Sequence, residues 1–400
     1  MNDQTRRILI AGAGLGGLCA ALCLRRLGFE VEVLERAPEL AEVGAGIQVA
    51  ANGSRVLADL ELLDDVRRLG FEPEAAEIRD GVSGFTCYRS PLRGAHERRY
   101  GRPYVQIHRA DLHGILLGAC MRAGVGVTTD APVEGYERLE DGVALRLASG
   151  REIEGDVLIG ADGIHSAVRA AMLGREQPRF TGQVAWRGTV PAERLRPGVV
   201  PETAGIWVGP GRHFVHYYLR GGRLVNFVAV QERAAWREES WTTAGDVGEL
   251  RAAFAGWHDA VGAILEQVES TFLWGLFGRD RLPRWTDGPV ALLGDACHPM
   301  LPFMAQGACM AFEDAAVLAR CLAGGGDAAG ALKRYERLRI DRATRVQRQA
   351  EANARLFHVR NRAAQVLRLG AIWAGTHLLP PLAAARFDWL YGHDAAGDAL

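Results

Sequence analysis

Arg6-Arg7-Ile8-Leu9-Ile10-Ala11-Gly12-Ala13-Gly14-Leu15-Gly16-Gly17 is the stretch on which the fold is read. A short apolar run over residues 8–11 meets Gly12, Gly14 and Gly17 in a G-x-G-x-x-G pattern, and an apolar, Ala-rich helix signal over 18–27 follows. Eighteen residues beyond Gly17, Glu35 closes a second strand signal, Glu30-Val31-Glu32-Val33-Leu34-Glu35. Strand, glycine turn, helix, strand and acid in this order make a βαβ dinucleotide fingerprint. The glycines permit a tight turn and close backbone approach, and the helix N-terminus offers N–H groups and partial positive charge to a pyrophosphate. Glu35 can accept hydrogen bonds from ribose hydroxyls. With 49 glycines in 400 residues the bare pattern arises by chance about 0.7 times, so its flanking elements carry the weight.

Four hundred residues are long for one simple core and predict two interlocked domains. A hydrophobic share of 48% and a charged share of 24% are ordinary for a globular chain. The net charge of −1 favours neither nucleic acid nor a membrane surface as partner. Lys333 is the sole lysine, and with abundant Ala and Gly this reads as coding bias in a GC-rich bacterium. Cys19, Cys23, Cys87, Cys120, Cys297, Cys309 and Cys321 are odd in number and contain no C-x-x-C pair. That supports neither a disulfide framework nor a zinc site, so no metal is expected and reduced thiols in a cytoplasmic protein are. The chain opens without a charged-then-apolar leader, and no run of about 18 apolar residues predicts a membrane-spanning helix.

Along the chain, Val43-Gly44-Ala45-Gly46-Ile47-Gln48 is a second glycine-rich turn, followed by a helix signal over 52–62. His108-Arg109-Ala110-Asp111 opens an amphipathic helix running to Arg122. Arg109 is oddly placed, because a cation at a helix N-terminus opposes the dipole by about 0.3–1 kcal/mol. Either an anionic ligand or Asp111 would offset that. Residues 125–147 read as hairpin strands around Asp141-Gly142. A buried strand runs into Asp162-Gly163, and a helix carries Ser166, Val168 and Arg169. Residues 183–277 are β-rich and aromatic, a sheet that must cover or accept something. A further buried strand ends at Gly294-Asp295, and a helix from Gln306-Gly307 to about 322 is apolar except for Glu313-Asp314. Residues 331–360 form a long, charge-laced helix with an arginine face read as solvated. The apolar tail, with Leu367, Ile372 and Trp373, either packs on the body or makes a homodimer contact.

Three motifs in order carry a specific resemblance: Gly12-x-Gly14-x-x-Gly17, then Asp162-Gly163, then Gly294-Asp295-Ala296-Cys297-His298-Pro299. With Gly44-Ala45-Gly46-Ile47, His108-Arg109-Ala110-Asp111-Leu112 and Met304-Ala305-Gln306-Gly307-Ala308, the chain resembles the single-component FAD-dependent aromatic hydroxylases of the p-hydroxybenzoate hydroxylase fold. Within them it is most similar to the salicylate, 3-hydroxybenzoate and 6-hydroxynicotinate hydroxylases. The resemblance implies tightly bound FAD. Gly12, Gly14, Gly17 and Glu35 would hold its AMP half, Arg109 the pyrophosphate and Asp295 the ribityl chain. The helix from Gly307 would aim its N-terminus at the flavin pyrimidine. Asp162 would serve both FAD and the nicotinamide donor, and Leu15, Arg36, Gln48 and Ala308 complete the expected cofactor contacts. No second βαβ fingerprint is present, which fits NADH or NADPH docking transiently as co-substrate.

The implied fold is α/β: a Rossmann-like FAD-binding domain (1–72, 103–182, 281–325) interlocked with a β-sheet substrate domain (73–102, 183–280), then C-terminal helices (326–400). The implied reaction is hydroxylation of a small phenol with NAD(P)H and O2 through a flavin C4a-hydroperoxide. This electrophile is modest, so the site needs a base near the phenol and little water. In a strand over 212–220, His213, Val215, Tyr217 and Leu219 share one face, with His213 and Tyr217 about 13 Å apart. By resemblance His213 is the base or acceptor, with Tyr217 and Gln306 orienting the substrate. His298 has two readings, a ligand or base and, beside Pro299, loop support. Gln48 stands where 6-hydroxynicotinate enzymes tend to carry a His, which argues against that substrate. Arg187 and Arg220 are the candidate carboxylate clamps, Arg220 also reading as a turn residue. The alternatives are a same-fold monooxygenase for a polyketide, alkaloid or antibiotic scaffold, and a non-catalytic flavin-binding protein.

Overall fold

The structure, a computed structural model, describes residues 6–40, 45–236 and 243–397. Val43 and Gly44 of the second glycine turn lie outside them. Arg7–Ala11 is an interior strand of a six-stranded sheet ordered Thr286–Asp287, Val290–Leu292, Val157–Gly160, Arg7–Ala11, Glu30–Leu34, Gly126–Thr128. Every pairing in it is parallel except that between its first two strands. Ile8, Leu9, Ile10 and Ala11 have no exposure, as expected of a strand covered on both faces. The chain leaves this strand toward Glu30–Leu34 on one side and Val157–Gly160 on the other. Its carboxyl end is therefore the topological switch point at which such sheets bind ligands.

The three fingerprint glycines have different reasons to be glycine. Gly12 has φ +105°, and a Cβ there would lie 2.4 Å from the Ala161 carbonyl oxygen. A Cβ on Gly17 would lie 2.0 Å from the Gly12 carbonyl oxygen. Both close the chain on itself. A Cβ on Gly14 would meet nothing within 4 Å, so this glycine keeps an approach open instead.

The second sheet has eight strands, ordered Ala244–Gly245, Thr271–Gly278, Arg179–Pro191, Leu224–Glu232, Arg212–Leu219, Ala204–Gly209, Ala75–Asp80, Thr86–Pro91. Its aromatics divide by the two-residue period of the strands. Trp186, Trp207, Phe214 and Phe227 pack with Leu250, Val261 and Ile264 of the helices Val247–Ala253 and Asp259–Glu266. On the same side His216 is fully buried between the Trp207 indole N–H, 2.9 Å from Nδ1, and the Pro201 carbonyl, 3.1 Å from Nε2. Its opposite-facing neighbours His213, Val215 and Tyr217 line a cavity.

Three expectations are corrected. Gly126–Thr128 joins the parallel sheet beside Glu30–Leu34, and the hairpin around Gly142 is Val133–Leu139 with Gly142–Leu147. The helix expected over 52–62 is Ala51–Asp59, ending early before Glu61 at φ 61°, and a separate helix, Leu63–Leu69, follows. The long helix is Ala328–Phe357, and its arginine face is not all solvated: Arg339 is 1% exposed. Its guanidinium meets Asp314 at 2.7 Å and Glu313 at 2.6 Å, and Arg342 meets Glu313 at 2.7 Å. Of its two readings, Arg220 takes that of the turn residue. It sits in a turn at φ 52° and holds Asp111 through two 2.9 Å bonds. The tail packs on the body through Leu369 and Leu390, while Leu367, Leu378 and Leu382 stay exposed.

Candidate active site

A cavity of about 1050 Å³ lies at the switch point, between the two sheets and the C-terminal helices. Two helices open their N-termini into it. Leu15–Arg26 and Gly307–Ala323 have no side-chain cap, and Gly14, Leu15, Gly307 and Ala308 line the cavity. A Cβ on Gly307, as on Gly14, would meet nothing within 4 Å. Uncapped first-turn N–H groups need acceptors, and the dipoles favour negative charge. The two ends together suit one long ligand with anionic or acceptor groups at separate points, as a dinucleotide has.

The remaining cofactor candidates are unequally placed. Arg109 and Asp295 line the cavity, and Arg109 donates its backbone N–H to Ala45 at 3.1 Å. Asp111 is taken by Arg220, which weighs against it as the compensation for Arg109. Glu35 accepts from the N–H of Ala13 at 2.8 Å and of Ala37 at 2.9 Å, one on each oxygen, so each keeps a lone pair. Asp162 accepts from Ala167 and Val168 at the start of the helix Ala167–Leu173, at 2.7 and 3.2 Å. Its neighbours Ala161 and Gly163 line the cavity, whereas its other oxygen is buried without a partner. Arg36 is exposed and stands off the cavity. Gln48 lines it and accepts from the Tyr104 hydroxyl at 2.5 Å.

His213, Tyr217 and Gln306, drawn from two distant parts of the chain, line the same cavity. His213 is 1% exposed, with the rings of Phe303 and Phe357 each 5.3 Å away. Its Nδ1 lies 2.6 Å from Nε2 of His358, which leaves its own Nε2 for another partner. Burial, helped by His358, holds the His213 imidazole well below its ordinary value. It is therefore neutral and a proton acceptor at neutral pH. Tyr217 donates its hydroxyl proton to the Gly46 carbonyl at 2.6 Å, so it has oxygen lone pairs to offer a ligand. Arg187 shares the wall and stacks 4.5 Å from the Trp274 ring centroid.

The orientation of Gln306 follows from a buried chain of bonds. Glu313, ionised against Arg339 and Arg342, can only accept. The Asn52 amide nitrogen therefore faces it at 2.7 Å, and the same nitrogen donates to Gln306 Oε1 at 2.9 Å. With its oxygen so occupied, Gln306 presents its amide N–H groups elsewhere, to the cavity that it lines. Asn52 and His358 were not singled out in the sequence. The apolar helix interrupted by Glu313-Asp314 hinted at the first, and nothing near residue 358 hinted at the second. Asn52→Leu is expected to raise KM for the aromatic substrate about tenfold while FAD content is kept, and an unchanged KM in steady-state assays would contradict this orientation.

His298 is loop and core support. It is 1% exposed, and its Nε2 meets Asp314 at 2.5 Å. Cys297, His298 and Asp314 bring ligand atoms within 4.8 Å of one another. Arg339 on the other Asp314 oxygen makes this a charge-matched hydrogen-bond cluster.

A parallel sheet with a glycine-rich switch point, two open helix ends and an aromatic-walled chamber defines a flavoprotein that brings a small ring to its cofactor. The FAD binding domain family matches residues 5–350. The chain is 40% identical over 399 residues to the 3-amino-4-hydroxybenzoate 2-monooxygenase PtnB3 of Streptomyces platensis, covering 99% of this chain and 98% of that one. It is 39% identical over 393 residues to 3-hydroxybenzoate 6-hydroxylase 1 of Aquipseudomonas alcaligenes, covering 97% and 98%. The structure of Klebsiella pneumoniae HpxO with FAD and uric acid superposes with a TM-score of 0.82 at 30% identity, covering 95% and 96%. The chain belongs to the FAD binding domain family, in its branch of single-component FAD-dependent aromatic hydroxylases. It is a flavoprotein monooxygenase acting on small aromatic compounds, with NAD(P)H as co-substrate. Bound FAD supplies electron transfer from NAD(P)H and activation of O2 toward an electron-rich ring. No described helix is long and apolar enough to cross a membrane.

Proposed function

We propose that the substrate is a single-ring phenol bearing a carboxylate, of the 3-hydroxybenzoate or 3-amino-4-hydroxybenzoate type, and that His213 accepts its hydroxyl proton. The observation that carries this reading is the buried, neutral His213 on the cavity wall, with Nδ1 spent on His358 and Nε2 left over. Gln306 donates to the phenolate oxygen as charge develops, which lowers the cost of ionising the ring hydroxyl. Tyr217 offers its oxygen to a substrate donor, and Arg187 takes the carboxylate. Phe303 and Phe357 exclude water from the base.

For the cofactor, Gly14, Leu15 and Arg109 hold the pyrophosphate and Glu35 the adenosine ribose. Asp295 meets the ribityl hydroxyls, and the N–H groups of Gly307 and Ala308 face the pyrimidine. Gly12, Gly17 and Asp162 support this frame from behind. Free Cys19, Cys87 and Cys120 fit a reducing, cytoplasmic setting.

The test is NAD(P)H consumption by the FAD-loaded protein against hydroxybenzoates, aminohydroxybenzoates, salicylate, hydroxynicotinates and larger phenols, with product analysis. A hydroxylated single-ring acid formed in step with NAD(P)H use is the expected result. Peroxide release with every compound sinks the reading, and preferential turnover of a multi-ring phenol transfers the cavity to a larger scaffold.

A further inference from the structure

We infer that His213, His358 and Glu232 form a proton path from the cavity to the surface, with His358 and Glu232 acting through His213. This rests on the reading of His213 as the base. The three residues come from separate elements: the strand Arg212–Leu219, the residue following the helix Ala328–Phe357, and the end of the strand Leu224–Glu232. His213 Nδ1 and His358 Nε2 are 2.6 Å apart. His358 Nδ1 is 3.7 Å from Glu232 Oε1, a gap that one water or a small side-chain rotation closes. Glu232 Oε2 accepts from Arg360 at 2.6 Å. Exposure rises in the same order, from 1% at His213 and 7% at His358 to 27% and 83% for the side chains of Glu232 and Arg360.

A buried imidazole needs such an exit. Burial lowers both histidines, His358 to about 4, whereas a phenol ordinarily titrates near 10. A proton passed to His213 would return at once unless it moved on and Gln306 held the phenolate left behind. Phe303 and Phe357 pack against the His213 ring, so His358 is the polar way out. The charged groups facing the pair are Glu232 and Arg360. The neutral Gln183 amide lies 3.3 Å from His358 Nδ1, and its Oε1 is buried without a partner. Turning that amide over gives the oxygen a donor and holds the tautomer of His358 with its proton on Nδ1.

The transfer balances without any redox change. The phenol O–H bond breaks as His213 Nε2 gains a proton. The Nδ1 proton of His213 passes to His358 Nε2, the Nδ1 proton of His358 passes to Glu232, and Glu232 yields it to water. Both imidazoles end neutral with the proton on the opposite nitrogen.

The experiment mixes FAD-loaded protein anaerobically, without NAD(P)H, with 3-hydroxybenzoate and separately with 3-amino-4-hydroxybenzoate. A pH indicator reads proton release and absorbance reads phenolate formation, for the parent and for H213A, H358Q and E232Q. The parent is expected to release a proton on binding and H213A to release none. H358Q is expected to bind and to release about a hundredfold more slowly. E232Q, an isosteric change at a partly exposed side chain, is expected to be slow in weak buffer and restored by added imidazole. Parent-like release in both H358Q and E232Q, with H213A silent, overturns the path and leaves the base in place. Parent-like release in H213A, or none from the parent with either compound, overturns both.

Discussion

His213→Ala is expected to lower coupled hydroxylation about a hundredfold or more while FAD stays bound. NAD(P)H oxidation that continues will then end in peroxide. The pH profile separates this from a packing defect. The folded His213 imidazole is held well below 6.5, so in the parent it stays an acceptor through neutral pH and into mild acid. Loss of rate from its protonation begins only well below pH 6.5. Without it, the substrate must lose its proton to water, and the rate of the variant should climb with pH toward the phenol value near 10. A parent-like profile with parent-like coupling would remove His213 from the chemistry.

The largest stability loss is expected for Arg339→Met. Arg339 is 1% exposed, with Glu313 and Asp314 at 2.6 and 2.7 Å, both of them fully buried. Removing one partner of a buried ion pair costs about 3–5 kcal/mol, because the other charge is left behind. Since Glu313 also sets Asn52 and through it Gln306, the damage should reach the active site. The loss has a definite pH dependence. Burial works against the ionised forms of both acids, but Arg339 and Arg342 beside Glu313, and His298 and Arg339 beside Asp314, hold them below the usual carboxylate range. Depressed carboxyls stabilise the fold above their unfolded values near 4, and that contribution fades as pH falls through the folded ones. The deficit of the variant should therefore be full at pH 7 and shrink as the pH drops below about 4. Urea unfolding followed by flavin release will measure it. A deficit that grows with acid would overturn the charge assignment.

The frame was legible in the sequence because it is built from local motifs. Gly12, Gly14 and Gly17 could be recognised from a strand, a turn and a helix adjacent in the chain, and the Gly294-Asp295 turn likewise. The same local reading put His213 and Tyr217 on one face by the two-residue period. It misread Arg339, because a charged helix looks the same whether its arginines meet water or the buried Glu313 and Asp314 of a helix before it. The clue lay in that other helix, whose paired acids in an apolar run required a cation from somewhere. Arg220 was legible as a turn residue from the two glycines that follow it, but its partner Asp111, more than a hundred residues away, was not. His358 and Asn52 carry no pattern of their own, and their significance exists only where the strand and helix ends converge.

The distance along the chain between the two open helix ends has a consequence for biosynthesis. Gly14 and Gly307 are 293 residues apart, and at ribosomal rates roughly 15–60 s pass between their syntheses. The sheet that unites them is parallel and rich in non-local pairings, a slow topology to complete. The outer wall, with Leu379 and Phe387, comes later still. The cavity that takes the flavin is thus complete only once these late segments have been made and packed.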